Sequence, residues 1–343
     1  MNSPSVRPLW QRWLPWIGAL LGVTALAWVL RGFDFNRFLV ILRNAWLAPA
    51  LLVPAVVIGE QVIRGWKWRQ LLWPLRQIGT LSLFGAVMAG YLLAMLVPFG
   101  FGTVSRSWLV ARRESLGLPT VLATVALDRL TDGIVFVCLV PIAVMVVSFP
   151  DPGGVRSGLL WGAGTSFVLF GSAFAGVALY RLRGPKTPVW LSSLLDRLPA
   201  RLNAALLRLM ESFAEGIVWP QQIWRGGAII GASVLIKLFA SMQFFWAGIA
   251  FGVWLQPSEY LLIMVFLGFL VIMGHFARLA GGFVLGAVFV LGLFGVRGEE
   301  ALAITLIVQA SNLLSVAITG ALALWLQGIA IAEVRAAVET DSA

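Results

Sequence analysis

Long uninterrupted runs of apolar residues constrain this chain more than any other feature. A run of about 18 or more such residues is long enough to cross a bilayer as a helix. Because 60% of the 343 residues are hydrophobic and only 12% are charged, a water-soluble globule of this size could not bury them all. The sequence therefore predicts an all-α integral membrane protein. About eight transmembrane helices are expected, at residues 13–30, 46–63, 79–97, 120–148, 159–180, 227–251, 258–273 and 299–327.

The basic residues predict the orientation of these spans. The net charge of +10 would suggest a nucleic-acid partner in a soluble protein, but here it indicates arginine-rich cytoplasmic loops, so no nucleic acid is expected. Residues 1–12 are predicted to be a cytoplasmic amino-terminal tail, and residues 13–328 a single membrane domain. Residues 329–343 are predicted to be a cytoplasmic tail. The basic connections 64–77 and 181–225 are also placed in the cytoplasm.

Two apolar segments, near 98–111 and 280–295, are too short to span comfortably. Glycines interrupt the start of each, and Pro98 breaks the first, which is typical of re-entrant or broken helices. The charge distribution requires the two segments to cross in opposite directions. A shift of 180 positions places Gly102 on Gly282 and Asp132 on Asn312. Together these features predict an inverted repeat of the kind found in transporters.

Two connections have the apolar spacing of amphipathic helices. Residues 34–44 carry Phe35, Phe38, Leu39 and Leu42 on one helical face, and residues 202–217 repeat apolar residues at helical spacing. Both are predicted to lie in the headgroup zone of the membrane. A dock for a lipid headgroup or a partner protein is the alternative.

The helix after Gly102 is the first candidate binding site. Its amino end offers unpaired N–H groups and partial positive charge, which suit an anion such as phosphate. Arg106 lies in the first turn, so the segment predicts a receptor for a lipid phosphate. In the alternative interpretation Arg106 belongs to a kinked helix and pairs internally or extends to the interface.

Three charged residues in the fourth predicted span form the second candidate. Asp128 and Asp132 share one helix face, and Arg129 points about 100° away from Asp128. Charges at this depth are too costly to face lipid, so they must face a partner or an aqueous cavity. They predict a substrate or proton pathway. The alternative is a structural network in which the acids pair with Arg106, Arg129 or Lys237.

Other polar residues within the apolar segments extend the candidate site. Lys237 lies deep in a span, Gln309 and Asn312 lie in the last one, and His275 and Arg278 precede the second glycine break. With one histidine and one cysteine in the chain, and with no nucleotide-binding or hydrolase motif, the sequence predicts no metal, no cofactor and no catalytic residue.

The stretch 98–133 resembles a known family. It contains Gly100, Gly102, Arg106, Arg112–Arg113, Asp128–Arg129 and Asp132 in the order typical of the flippase-like family related to the lysylphosphatidylglycerol synthase transmembrane domain. The basic, tryptophan-rich stretch 64–69 is similar to the same family, and the resemblance extends over about residues 10–328. At the second break Gly281 and Gly282 match, but the usual proline and acid are absent, which favours an anion near His275 and Arg278.

This resemblance implies a translocator of lipids in a bacterial inner membrane. The expected partners are the membrane and a phospholipid, hopanoid or polyprenyl-phosphate lipid, with a homo-oligomer left open. The sequence printed here holds no soluble aminoacyl-transferase domain, so a transporter is expected rather than an enzyme. A membrane-embedded glycosyl or lipid-modifying transferase and an accessory subunit of a lipid-synthesis complex are the alternatives. The predicted substrate-binding residues are Gly100, Gly102, Arg106, Arg112, Arg113, Asp128, Arg129, Asp132, Lys237, His275, Arg278, Gly281, Gly282, Gln309 and Asn312.

Overall fold

The computed structural model describes residues 33–96, 101–183, 215–277 and 282–326 of the chain. Within these ranges every extended regular element is a helix and no strand occurs. Ten α-helices follow one another in these parts of the chain: α1 Phe35–Arg43, α2 Leu47–Leu72, α3 Thr80–Leu96, α4 Phe101–Glu114, α5 Leu118–Val146, α6 Val155–Arg183, α7 Ile223–Ala250, α8 Pro257–Ala277, α9 Gly282–Leu293 and α10 Gly298–Leu326.

Five of these helices are long and apolar enough to cross a membrane. They are α2, α5, α6 (over Val155–Gly176), α7 and α10, and each coincides with a predicted span. The chain is therefore a multi-pass helical membrane protein, as its composition predicts. The predicted spans 79–97 and 258–273 correspond to the shorter apolar helices α3 and α8, and 13–30 lies outside the described residues. The count of eight spans stays a prediction.

Two pairs of neighbouring helices pack as hairpins, α3 with α4 and α8 with α9. They lie where the sequence predicts the two broken segments. The glycine and proline breaks at 97–100 and 278–281 lie outside the described residues, but the helices that follow them, α4 and the apolar α9, are present. Entry of the two hairpins into the bilayer from opposite faces stays a prediction, as does the single membrane domain.

The described residues form two compact units. The first comprises Met1–Val56, Leu139–Gly162 and Ala240–Ser311, and the second comprises Val57–Cys138, Ala163–Phe239 and Asn312–Ala343, each within its described parts. The first unit buries a core of apolar side chains that includes Phe244, Tyr260, Ile263, Ala287 and Ile304. The second unit buries two, one around Trp68, Leu71 and Leu83 and one around Met88, Leu92 and Val316.

The predicted amphipathic helix at residues 34–44 is present as α1. Asp34 caps it, since its Oδ1 accepts a hydrogen bond of 3.0 Å from the backbone N–H of Arg37, which satisfies one of the unpaired donors at a helix start. No side chain of α1 is buried, and Phe35 and Leu39 remain exposed. An exposed apolar face is what a helix in the headgroup zone requires. The second predicted amphipathic helix, at 202–217, lies almost entirely outside the described residues.

Candidate functional site

Two glycines allow helices α3 and α4 of the second unit to touch. A β-carbon placed on Gly90 would lie 2.7 Å from the carbonyl oxygen of Gly102 and 2.7 Å from the β-carbon of Arg106. A β-carbon on Gly102 would lie 2.8 Å from the carbonyl oxygen of Gly90. Real β-carbons essentially never approach other atoms this closely, so any larger residue would push the helices apart. The hairpin thus holds Arg106 directly against α3.

The guanidinium of Arg106 is buried but only loosely paired. Arg106 is 2% exposed, and its Cζ lies 5.2 Å from the ring centroid of Trp68, within cation–π range. Its Nη2 is 3.8 Å from Asp128 Oδ2, a long contact for an ion pair. Its Nε and Nη2 have no hydrogen-bond partner within the described parts of the chain. These two atoms form the side-on fork with which arginine binds phosphate or carboxylate groups.

Helix α2 presents a stripe of charged residues to the same region. Glu60, Arg64 and Lys67 are spaced by four and three residues, so they share one helix face. Arg64 donates to Glu60 Oε1 at 3.2 Å and to Asp132 Oδ2 at 3.0 Å. Arg64 and Glu60 are each 7% exposed, so this pairing is enclosed by protein.

Lys67 is the centre of the ion-pair network. The side chain is fully buried, and its Nζ lies 2.6 Å from Asp132 Oδ1 and 2.9 Å from Asp128 Oδ1. It also donates to the carbonyl oxygen of Asp128 at 2.9 Å. Ser233 of α7 donates to Asp132 Oδ1 at 2.9 Å. Since Asp128 is 1% and Asp132 6% exposed, both carboxylates face basic protein groups, which is one of the two environments that the sequence allows.

The ring of Trp68 packs against the guanidinium of Arg106. Its indole Nε1 donates to Thr124 Oγ1 of α5 at 3.0 Å, and the ring is 1% exposed. A buried indole with a satisfied N–H is a rigid surface for a stacked guanidinium. Thus α2 and α5 fix the plane against which Arg106 lies.

The structure brings part of the predicted site together in the second unit: Gly102, Arg106, Asp128 and Asp132. Lys237 is half-buried nearby, interacts electrostatically with Asp132, and holds its Nζ 5.6 Å from the ring centroid of Phe136. With Arg64, Lys67 and Arg106 it gives this region four basic side chains, against three carboxylates from Glu60, Asp128 and Asp132. The cluster therefore carries excess positive charge.

Other predicted residues lie elsewhere. Arg112 and Arg113 are exposed at the end of α4, and Arg129 is exposed on α5. Arg112 lies 5.1 Å from the ring of Trp108. Gln309 is a half-buried residue of the first unit, whereas Asn312 is half-buried in the second.

The second predicted break is only partly described. Gly282 begins α9. Gly100, Arg278 and Gly281 lie outside the described residues, and so does the side chain of His275. Their roles stay predictions.

Hydropathy does not reveal the α2 half of the network. The predicted end of the second span at residue 63, which leaves Arg64 and Lys67 in a connection, is wrong because α2 continues to Leu72. Hydropathy falls at these residues, but their charges are neutralised by partners on α5 rather than by water. The spacing of Glu60, Arg64 and Lys67 on one helix face is the signal that could have revealed them.

The described residues contain no group of three or more histidine, cysteine, aspartate or glutamate side chains that could hold a metal ion. The carboxylates of the cluster are instead bound by arginine and lysine. The chemistry that this arrangement supports is recognition of an anion by a guanidinium rather than coordination of a cation.

The fold and the site define a class: a helical membrane protein with a buried, basic cluster next to a tight helical hairpin. Comparison with known families then identifies the family. Residues 16–320 match the family described as lysylphosphatidylglycerol synthase TM region, which confirms the resemblance seen at 98–133. The chain belongs to this family, whose name relates it to lipid handling in membranes. No curated protein and no solved structure gives a significant match.

Proposed function

We propose that the protein is a lipid translocator that moves an anionic or phosphate-bearing lipid across a bacterial inner membrane. The observation that carries the proposal is the side-on fork of Arg106. Its Nε and Nη2 are buried and have no hydrogen-bond partner in the described ranges, and the chain belongs to a lipid-related membrane family. Leaving such donors unsatisfied is costly in the interior of a protein, and a phosphate would satisfy both.

The geometry supports a simple binding step. Two phosphate oxygens would accept hydrogen bonds from Nε and Nη2 and replace the long contact with Asp128. Asp128 would not be left uncompensated, because Lys67 lies 2.9 Å from its Oδ1. Trp68 would keep the guanidinium plane in place throughout. The headgroup would therefore bind without breaking the rest of the network.

The charge of the cluster supports an anionic substrate. Buried charges are costly, and removing one partner of a buried pair costs more than the pair contributes. An anion that enters a cluster with excess positive charge lowers this cost. In the same proposal Arg129 lines a polar path along α5, and residues 278–282 form the opposing gate. The amino terminus lies in the cytoplasm.

A purely structural role for the network is less well supported. An accessory subunit has no use for an open cation within its membrane region, and its buried charges would all be paired. Arg64 and Lys67 meet that condition through close ion pairs. Arg106 does not, because two of its three guanidinium nitrogens lack hydrogen-bond partners among the residues described. This difference favours a translocator.

The proposal is tested in vesicles that contain the purified protein and labelled phosphatidylglycerol. Arg106→Ala should reduce the rate of lipid transfer between leaflets at least about tenfold, since hydrogen bonds to charged groups contribute roughly 1.5–3 kcal/mol each. Arg76→Gln is the matched control, because the Arg76 side chain is 60% exposed, and it should transfer lipid like the wild type. Equal rates in the folded Arg106→Ala protein and the control would contradict the proposal.

A further inference from the structure

A pair of arginines in the second unit lies outside the Arg106 cluster, at the end of α2 and the start of α7. Arg69 lies in the last turn of α2, and Arg225 lies in the first turn of α7. The Cζ of Arg225 is 3.7 Å from the ring centroid of Trp73, and the Cζ of Arg69 is 5.3 Å from the same centroid. Two cations therefore share one indole ring.

No carboxylate among the described residues pairs with these two charges. Arg225 is 6% exposed, and its Nε and Nη1 donate to the neutral side chains of Gln222 and Gln70, each at 2.5 Å. The Nε of Arg69 is buried and has no hydrogen-bond partner among the residues that the structure describes. Within the described part of the chain, neither arginine forms an ion pair with a carboxylate. Two like charges next to the same ring repel each other, and a nearby anion would offset that repulsion.

The position in the helices adds to this charge. The first turn of a helix carries partial positive charge, so a cation such as Arg225 is disfavoured there and an anion is favoured. The two glutamines act as fixed partners that orient the guanidinium, since they use two of its three nitrogens and leave Nη2 for another acceptor. Arg69, which contacts the same Trp73 ring, adds a second positive charge at this end of α7.

The surroundings indicate which anion. Arg69 and Arg225 lie at the ends of two long apolar helices that can cross a membrane. The Cζ of Arg225 lies 4.4 Å from the ring centroid of Trp224, a residue that is 58% exposed. Tryptophan and arginine at the ends of apolar spans are typical of the membrane–water interface. The anions concentrated at this level are lipid phosphates.

We infer that Arg69, Arg225 and Trp73 form a second anion site, which binds the phosphate of an anionic phospholipid at the membrane surface. It differs from the Arg106 site in its residues: Arg106 contacts Trp68 and Asp128, whereas Arg69 and Arg225 both contact Trp73. The site holds a lipid at the end of α2 whether or not the protein transfers that lipid between leaflets. This inference therefore goes beyond the proposed function and does not depend on it.

Native mass spectrometry of the full-length protein with added phosphatidylglycerol tests the inference. All variants are made both in the wild type and in the Arg106→Ala protein, so that the two sites are measured separately. Arg69→Gln should weaken one phosphatidylglycerol-binding event about tenfold in both backgrounds, because it removes charge-assisted hydrogen bonds. Arg225→Lys should weaken the same event, since an ammonium group lacks the planar fork. Arg76→Gln should bind like its parent.

Each other outcome overturns the inference. Affinity in the Arg69→Gln protein equal to that of the Arg76→Gln control would show that the pair binds no lipid. Displacement of phosphatidylglycerol by inorganic phosphate at equal concentration would assign the site to free phosphate instead. Loss of the fold in Arg69→Gln would show that its guanidinium has an internal partner. A weakened event that disappears in the Arg106→Ala background would place the lipid at the first site alone.

Discussion

Lys67 and Asp132 are 65 residues apart in the chain, and the Nζ of one lies 2.6 Å from the Oδ1 of the other. This contact is the shortest ion pair of the buried cluster, and it joins α2 to α5 within a region that apolar spans surround. Both groups keep further partners, Asp128 for the lysine and Arg64 for the aspartate. The pair therefore connects the basic residues of α2 to the carboxylates of α5, and we expect it to be important for stability.

Replacement of Asp132 by asparagine should destabilise the protein strongly. Lys67 and Arg64 would lose a shared negative partner, and breaking a buried pair on one side costs about 3–5 kcal/mol. The free energy of unfolding, measured by denaturant titration in detergent micelles, should fall by that order. Glu299→Gln is the control, because Glu299 lies outside the cluster, its hydrogen bond from the backbone N–H of Asp34 is exposed, and an amide oxygen can accept the same bond. Equal stabilities of the two variants would contradict the role of the network.

The close approach of α3 and α4 predicts a large effect from one added methyl group. Gly90→Ala would force the β-carbon against Gly102 and Arg106, and overpacking of this kind costs about 1–3 kcal/mol. Lipid transfer should also fall, because Arg106 would move from Trp68. Gly231→Ala tests the same substitution in open surroundings, since nothing lies within 4 Å of its β-carbon position. It should be neutral or slightly stabilising, and equal losses in both variants would refute the hairpin packing.

The stacking of Arg106 on Trp68 should contribute to transport without being essential. Trp68→Phe keeps an aromatic ring but loses the hydrogen bond to Thr124 and weakens the cation–π contact. A contribution of about 0.5–2 kcal/mol corresponds to a roughly two- to thirtyfold decrease in the rate of lipid transfer. Trp254→Phe, at a residue 68% exposed, should leave the rate unchanged. A Trp68→Phe protein with the wild-type rate would show that the ring does not orient the guanidinium.

The sequence predicts the α3–α4 hairpin well because its cause is local. Pro98, Gly100 and Gly102 lie close together in the sequence, and such residues interrupt a regular helix, so they mark where one helix ends and the next begins. The apolar runs likewise locate the long spans, since the length of a membrane helix depends on bilayer thickness rather than on tertiary contacts.

The pairing of the buried charges could not be predicted from local pattern. Arg64 and Lys67 look like the polar end of a span until their partners on α5 are known, because the decisive contacts join residues more than 60 positions apart. Conversely, Arg129 belongs to the same polar motif as Asp128 but is exposed. Sequence proximity to the acids therefore does not place a residue in the cluster, and only the rotation of α5 decides which side chains enter it.

The most direct test of the central claim is a measurement of contact between Arg106 and a lipid phosphate. Nitrogen-15 labelled arginine and the phosphorus of phosphatidylglycerol should be roughly 4 Å apart if the side-on fork is occupied, as hydrogen-bonded guanidinium–phosphate pairs are. Solid-state NMR in vesicles can detect this dipolar coupling. The account predicts a coupling in the wild type, part of which is lost in Arg106→Lys and kept in Arg76→Gln. Identical nitrogen–phosphorus couplings in all three folded proteins would contradict it.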